Sequence, residues 1–426
     1  MARRKIKGLG STGSRRMVAV LGLALGVGLV AAGPASAQVH RGGRDTAQAS
    51  LARQLIESAD KATTAGVPGV IVRVDDGHGP VVNVVRQAPW SIPDHALAEN
   101  DEFRMGSNTK TIIATLVLQL VAEHRVALDD PIQNRLPGAV PNGRNITVRM
   151  LLNHTSGLAD YAYEPEALAL MTGRQTERPT AAQLLAVGTR LPVEFPPGQG
   201  WTYSNTNYIA LGLLVEKVTG HSVADLIQHR IAGPLGLRHT YLSTDAPDPA
   251  DRRFAHGYEP DAAHLAPILP PGTPAGFGFV GPARGERVDV TGIDQSWDGA
   301  AGSIVSTTSD WARFDKALMS GRLFPKPLLA QMRVTTQEDE ENGRNRFYGL
   351  GLEEVHTPCG TVWGHDGALP GYRSDNYTDS SGRRTVSVLS TTHFGLKLDT
   401  AAGTAEDDLV TAAICTMLDK PIPATG

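Results

Sequence analysis

One stretch constrains the fold before any other. Residues 111 to 121 read TIIATLVLQLV, with Ile112, Ile113, Leu116, Val117, Leu118, Leu120 and Val121 spread around every side of a helix. Such a helix is buried rather than amphipathic. Ser107 stands where it would begin, and Lys110 follows three residues later on the same face. That places an amine near the serine hydroxyl as a base, and the backbone N–H groups of the helix start near any negative charge that develops. The same spacing recurs at Ser58 and Lys61 on an ordinary surface helix, so the pair alone does not define a site.

The N-terminal segment is read separately. Arg3, Arg4, Lys5, Lys7, Arg15 and Arg16 precede an apolar run from Met17 to Ala32 and then Ala35-Ser36-Ala37. This is the pattern of a secretory leader cleaved near Ala37, and the run is shorter than the roughly 20 residues a spanning helix needs. Residues 1–37 are therefore expected to be a signal peptide, leaving an exported chain with no stable membrane anchor. Losing those six cations moves the formal net charge from −4 to −10. That balance excludes a basic stripe for nucleic acid. Cys359 and Cys415 are the only cysteines and are expected to pair in an oxidising compartment. No Cys-x-x-Cys or His-x-x-x-His occurs, so no metal site is expected.

The mature chain reads as helix, strands, a long helical stretch, strands, helix. A helix is expected from Thr46 to Ala65 and strands over Gly69 to Val74 and Val81 to Val85. Late strands are expected near Leu350 to Val355, Thr361 to Gly364, Arg373 to Tyr377 and Thr385 to Ser390, before a closing helix from Thr404 to Leu418. The fold class is mixed α/β: an antiparallel sheet flanked by helices, built from both chain ends, with an inserted helical domain. The expected boundaries are 38–106 plus 300–426 for the sheet domain and 107–299 for the helical one. Prolines and glycines crowd residues 256–290, which read as a long irregular loop and a mobile rim to the site.

Two Gly-x-Gly-x-x-Gly matches, at Gly8 and Gly276, neither follow a strand nor open a helix, so dinucleotide binding is rejected. Two other stretches matter more. Tyr203-Ser204-Asn205 offers a phenol and an amide on a tight loop, and His365-Asp366-Gly367-Ala368 lies on or beside a late strand, where glycine lets a substrate backbone come close. Ser107-x-x-Lys110, Tyr203-x-Asn205 and His365-x-Gly367, in this order, resemble the motifs of the serine penicillin-recognising enzymes, in their class C β-lactamase and D-alanyl-D-alanine carboxypeptidase branch. The blocks LLNHTSGL at 151–158, YSNTNY at 203–208 and YGLGL at 348–352 resemble that family too. The likeness runs from about Phe103 to Cys415.

The resemblance implies a β-lactamase/transpeptidase-like fold and an acyl-enzyme route without metal or organic cofactor. Ser107 attacks a carbonyl; Lys110 or Tyr203 takes its proton; Asn205 orients the substrate amide; His365 stands near Tyr203, adding charge or a hydrogen bond. The backbone N–H groups of Ser107 and Ala368, beside Gly367, form the oxyanion hole. His154 lies behind the site, and Trp297 lines its rim or packs between domains. The implied substrate is a small molecule or peptide (a peptidoglycan peptide, a β-lactam or an ester), acted on by a monomer. The chain departs from the family where a free carboxylate is held: Glu353 falls near the expected arginine, and Asp366 and Ala368 replace hydroxyl residues, with Arg373 a candidate substitute. An esterase, a D-aminopeptidase or amidase, and an idle penicillin-binding sensor are the alternatives on the same scaffold.

Overall fold

A computed structural model of the chain describes residues 38–39, 46–269, 273–338 and 345–424. The expected leader lies outside the described residues. Among the described residues no helix is long and apolar enough to cross a membrane.

The first elements are β1 (Gln38–Val39), α1 (Thr46–Thr64), β2 (Gly69–Asp75), β3 (Pro80–Gln87) and β4 (Phe103–Arg104). Then comes α2 (Thr109–Ala122), followed by α3 (Val148–Leu152), α4 (Pro165–Met171), α5 (Ala181–Thr189), α6 (Asn205–Thr219), α7 (Val223–Ile227) and α8 (Gly233–Leu235). Short pieces follow: β5 (Tyr241–Leu242), β6 (Tyr258–Pro260), α9 (Ala262–Leu265), β7 (Ala283–Arg284), β8 (Arg287–Asp289), α10 (Gly299–Gly302) and β9 (Ile304–Ser306). The chain closes with α11 (Thr308–Met319), α12 (Lys326–Met332), β10 (Thr336–Gln337), β11 (Arg346–Tyr348), β12 (Glu353–Thr357), β13 (Gly360–Leu369), β14 (Tyr372–Thr378), β15 (Thr385–Ser390), α13 (Phe394–Leu398) and α14 (Thr400–Leu418).

The main sheet is antiparallel, in the order β1-β3-β2-β15-β14-β13-β12-β11-β10. Both chain ends build it, meeting where β15 pairs with β2 (Val388 opposite Val72). One face packs on α1 and α14 through Leu55, Ala59, Val72, Val388, Leu409 and Ala413. The other side carries the larger core, centred on α2 with Ile112, Ile113, Leu116, Val117 and Leu120 all buried. Burying each such side chain contributes about 1.5–3 kcal/mol, so α2 is held by what surrounds it.

The stretch 256–290 departs from the sequence reading. It carries a three-stranded sheet, β6-β8-β7, rather than one featureless loop. Strands of two or three residues show no measurable period, and Pro260 ends β6 while Pro282 precedes β7, which masks them in sequence. The segment is also pinned. Glu259, fully buried in β6, accepts backbone N–H bonds from Gly371 (2.6 Å), His393 (2.9 Å), Phe394 (3.2 Å) and Gly395 (3.2 Å). Strand β11 is likewise absent from the sequence reading. The closing helix begins four residues earlier than expected, capped by Asp399, whose carboxylate accepts from the N–H groups of Ala401 and Ala402.

Cys359, in the turn between β12 and β13, is joined by a disulfide to Cys415 of α14.

Candidate active site

The turn Gly106–Asn108 delivers Ser107 to the N-terminus of α2. Its shape is set from two sides. Met105 N–H donates to Ile304 O at 2.9 Å, and Ser374 Oγ on β14 donates to Met105 O at 2.9 Å. Asn108 Nδ2 reaches Ser374 Oγ at 2.9 Å. Gly106 holds φ +51°, and a Cβ there would lie 2.5 Å from Ala368 N. A Cβ on Gly367 would lie 2.1 Å from Met105 O and 2.9 Å from Ser107 N. Only glycine at both positions lets β13 press its backbone against the serine turn.

Lys110 is fully buried. Its Nζ lies 3.0 Å from Ser107 Oγ, 2.7 Å from Asn205 Oδ1 and 2.8 Å from Ala301 O. The last two partners are carbonyl oxygens, which can only accept. In the neutral amine they take both N–H groups, leaving the lone pair to Ser107. Burial lowers the Lys110 pKa to about 8, against the pull of Asp298, Asp160, Asp366 and Glu353. At neutral pH an appreciable fraction is therefore neutral.

Asn205 opens α6, yet its side chain does not cap the helix. Ser204 occupies the cap position without a side-chain bond to the helix. Asn205 turns inward instead, accepting from Lys110 and donating from Nδ2 to Asp160 Oδ2 at 3.0 Å. Asp160 also accepts from Ala162 N–H at 3.0 Å. Burial pushes Asp160 up to about 6.

Tyr203 packs on His154, with ring centroids 4.5 Å apart, and lies 4.8 Å under the Lys110 ammonium. Its buried hydroxyl faces Ser107 without completing a hydrogen bond of ordinary geometry. Burial drives the phenol well above its usual range, with Asp366, Glu353 and Tyr208 adding to the push and Ser107 opposing it. His154 Nδ1 accepts from Ser204 N–H (3.2 Å) and Asn207 Nδ2 (3.1 Å), so this histidine is a support beneath Tyr203.

His365 differs from the sequence expectation. It stands 6.4 Å from Tyr203, ring to ring, and supplies it no hydrogen bond. Nδ1 faces two acceptors, Asp366 O and Glu353 Oε1 (3.3 Å), so it carries the proton. Nε2 then accepts from Tyr348 OH at 2.8 Å. Burial lowers its pKa to about 3, so it is neutral and adds no charge.

The acids are not bare. Arg346 Nη2 bonds Glu353 closely and reaches Asp366 at 3.1 Å, with Arg346 Nε 3.7 Å from Glu338. Burial pushes Glu353 well up, with Arg346 pulling down. Burial also works to raise Asp366, but Arg346, His365 and Arg373 outweigh it and hold Asp366 at about 2. Its side chain stays 39 % exposed, so solvent screens part of each of these effects. Glu353, His365 and Asp366 could offer three ligand atoms to a cation, but the Arg346 guanidinium already lies among them.

Arg373 is a correction. Its guanidinium contacts Asp375 (3.1 Å), Glu406 (3.4 Å) and Asp407 (3.3 Å), which commits it to acids of β14 and α14. It is not free to anchor a substrate carboxylate. On β14 it shares a face with Asp375, while the intervening Ser374 faces the serine turn. Trp297 is also placed inward, 4 % exposed and packed edge-on to Tyr161 at 6.3 Å, rather than on an open rim. Ser107, Tyr203, Asn205, Asp366 and Ala368 remain part-exposed, and Asp366, opposite Asp375 in the register, leaves β13 on the face away from Ser374 and the serine turn. Sequence reasoning missed Asp160, Asp298, Arg346 and the bonding role of Tyr348. Asp160 meets Asn205, and Asp298 acts on Lys110, only in space, and Arg346 sits on the unrecognised β11.

Comparison with known proteins gives this geometry a setting. The Beta-lactamase family matches residues 51–411. Penicillin-binding protein 4* of Bacillus subtilis (strain 168) is 29 % identical over 305 residues, covering 69 % of this chain and 61 % of its own length. The match thus spans less than two thirds of that curated relative. A solved D-stereospecific amidohydrolase from Streptomyces sp. is 34 % identical with a TM-score of 0.68, covering 80 % of this chain and 94 % of its own. The D-amino acid amidase from Ochrobactrum anthropi SV3, complexed with D-phenylalanine, is 27 % identical with a TM-score of 0.72, covering 86 % and 99 %.

Proposed function

The chain belongs to the beta-lactamase family and is a serine hydrolase of that fold, and we propose that it hydrolyses amides of D-amino acids bearing a free amine. The observation that carries this reading is Asp366. It is part-exposed, held ionised by Arg346, near enough to Lys110 to act on its charge, and stands where the resembled motif has a hydroxyl. Behind it, Arg346 and Arg373 are each already engaged by three carboxyl groups, so neither is free to hold a substrate carboxylate. A substrate ammonium about 4 Å from Asp366 gains roughly 1 kcal/mol in water and up to about 4 at an effective dielectric of 20. A free carboxylate loses as much. The two solved neighbours act, by their names, on D-configured amide substrates, which supports the same class.

The groups divide by their protonation. Lys110, brought down to about 8, is the base that takes the Ser107 proton as Oγ attacks the amide carbon. The Ser107 and Ala368 N–H groups receive the oxyanion, where losing one donor costs about 3 kcal/mol. Tyr203, held protonated by burial, relays a proton to the leaving amine. Lys110 passes its proton to Tyr203 as Tyr203 protonates the departing amine; water then attacks the acyl-serine, Lys110 taking its proton and returning it to Ser107 Oγ as the acyl C–O bond breaks and the D-amino acid leaves. We also place the mature protein outside the cytoplasm, cleaved near Ala37; the Cys359–Cys415 bridge supports an oxidising compartment.

The test is kcat/KM for D-phenylalanine amide beside its L-enantiomer, its N-acetyl derivative and a D-alanyl-D-alanine peptide. The D-amide with a free amine should lead by at least ~10-fold. Faster turnover of the N-acetyl compound or of the free-acid peptide overturns the reading.

A further inference from the structure

Asn205 can present either face of its amide to Lys110, and the two are not equivalent. With Oδ1 toward Lys110, it accepts an N–H and leaves the lone pair on Ser107. With Nδ2 toward Lys110, it donates into that lone pair and removes the base. The amide alone does not choose. Asp160 is the neighbour that does: its Oδ2 accepts from Asn205 Nδ2 at 3.0 Å, while its other oxygen is tied to Ala162 N–H at 3.0 Å. A flipped amide would set Oδ1 against an ionised carboxylate, oxygen against oxygen.

We propose that Asp160 is a positioning residue of acylation: it fixes the Asn205 amide and, through it, aims the Lys110 lone pair at Ser107. The inference rests on the reading of Ser107 and Lys110 as the acylating pair. The charged and titratable groups acting on Asp160 are Lys110 of α2, Asp298 before α10, and the phenol of Tyr161. Asp160 acts back on Lys110, its negative charge raising the lysine's pKa against burial. Replacing Asp160 by an amide therefore has two effects with separate signatures. The plateau rate falls because the Asn205 orientation is no longer enforced. The acid limb of the pH profile moves to lower pH, because a charge holding the Lys110 proton is gone. Loosening of the site by a merely structural defect would admit water and move that limb upward.

The experiment measures the acylation rate of the full chain by a fluorophosphonate across about pH 6 to 10, with the labelled residue identified by peptide mapping, and kcat and KM for D-phenylalanine amide. Asp160→Asn should lower the plateau and kcat on the order of 10²-fold, leave KM unchanged and shift the acid limb down. The exchanged pair Asp160→Asn with Asn205→Asp keeps one carboxylate and one amide in contact. It should move the limb up, since the charge now touches Lys110. Asp160→Asn within about twofold of the parent with an unmoved limb overturns the inference. So does a rise in KM at constant kcat. If the single variant does not fold, an unmoved limb in the exchanged pair overturns it. Labelling of the parent elsewhere than Ser107 removes the underlying reading and this inference together; normal Ser107 labelling with an indifferent Asp160 removes this inference alone.

Discussion

Arg346 of β11 bonds Glu353 on the neighbouring β12 and reaches across that strand to Asp366 of β13 at 3.1 Å, so one guanidinium serves two acids. Glu353 is 3 % exposed at its side chain and depends on that cation for compensation. Asp366, more open, can share its charge with a ligand.

Arg346→Met should therefore destabilise the fold by about 3–5 kcal/mol, the cost of leaving a buried carboxylate without its partner. Arg346 also helps to depress His365, so the histidine pKa should rise from about 3 in the variant. Urea denaturation and imidazole NMR titration read the two effects. A loss below about 1 kcal/mol would mean that Glu353 is carried as the neutral acid.

The pH profile of acylation follows from Lys110. Its neutral form is the base, and the folded-state pKa of about 8 lies below the model-peptide value of 10.5. Below pH 8 the rate should fall about tenfold per pH unit; above it the rate should level off. Lys110→Ala should lower the plateau at least ~10²-fold. A flat profile between about pH 6 and 9 would assign the proton to another group.

Gly367→Ala should inactivate the enzyme. The added Cβ would sit 2.1 Å from Met105 O, a backbone atom that cannot swing aside. β13 must withdraw from the serine turn, and the Ala368 N–H leaves the oxyanion position. A kcat loss on the order of 10²–10³ is expected, with the circular dichroism spectrum retained. Parental kcat would show that β13 does not supply the donor.

Removing the bridge with Cys359→Ser and Cys415→Ser together should cost about 4 kcal/mol in the chain-entropy account of a loop closed over 56 residues. kcat should hold, because Cys359 lies six residues from His365, about 20 Å along an extended strand. A parallel loss of kcat would tie the far end of β13 to catalysis.

Much of this was legible in the sequence, for identifiable reasons. The burial of α2 follows from its composition. The meeting of Ser107 and Lys110 follows from helical spacing, which no tertiary detail can undo. The two-ended sheet follows from the order of elements. Asp160 was not legible, because its partner Asn205 is 45 residues away and a loop fixes their contact. Arg346 was hidden in a three-residue strand with no period to detect. Arg373 was misread because its sequence distance from Ala368 is short, yet strand alternation turns its side chain toward α14. His365 looked like a source of charge or a hydrogen bond for Tyr203; only the packing around it, which leaves it neutral and bonded to Tyr348, shows otherwise.

The anchoring of Met105 by Ser374 spans 269 residues of sequence. The wall that shapes the serine turn thus emerges long after the turn itself. At ordinary synthesis rates that interval is on the order of tens of seconds. Throughout it, the nascent polypeptide holds a serine and a lysine without an oxyanion pocket. On the proposed route, hydrolytic competence waits for β14 to take its place beside the serine turn.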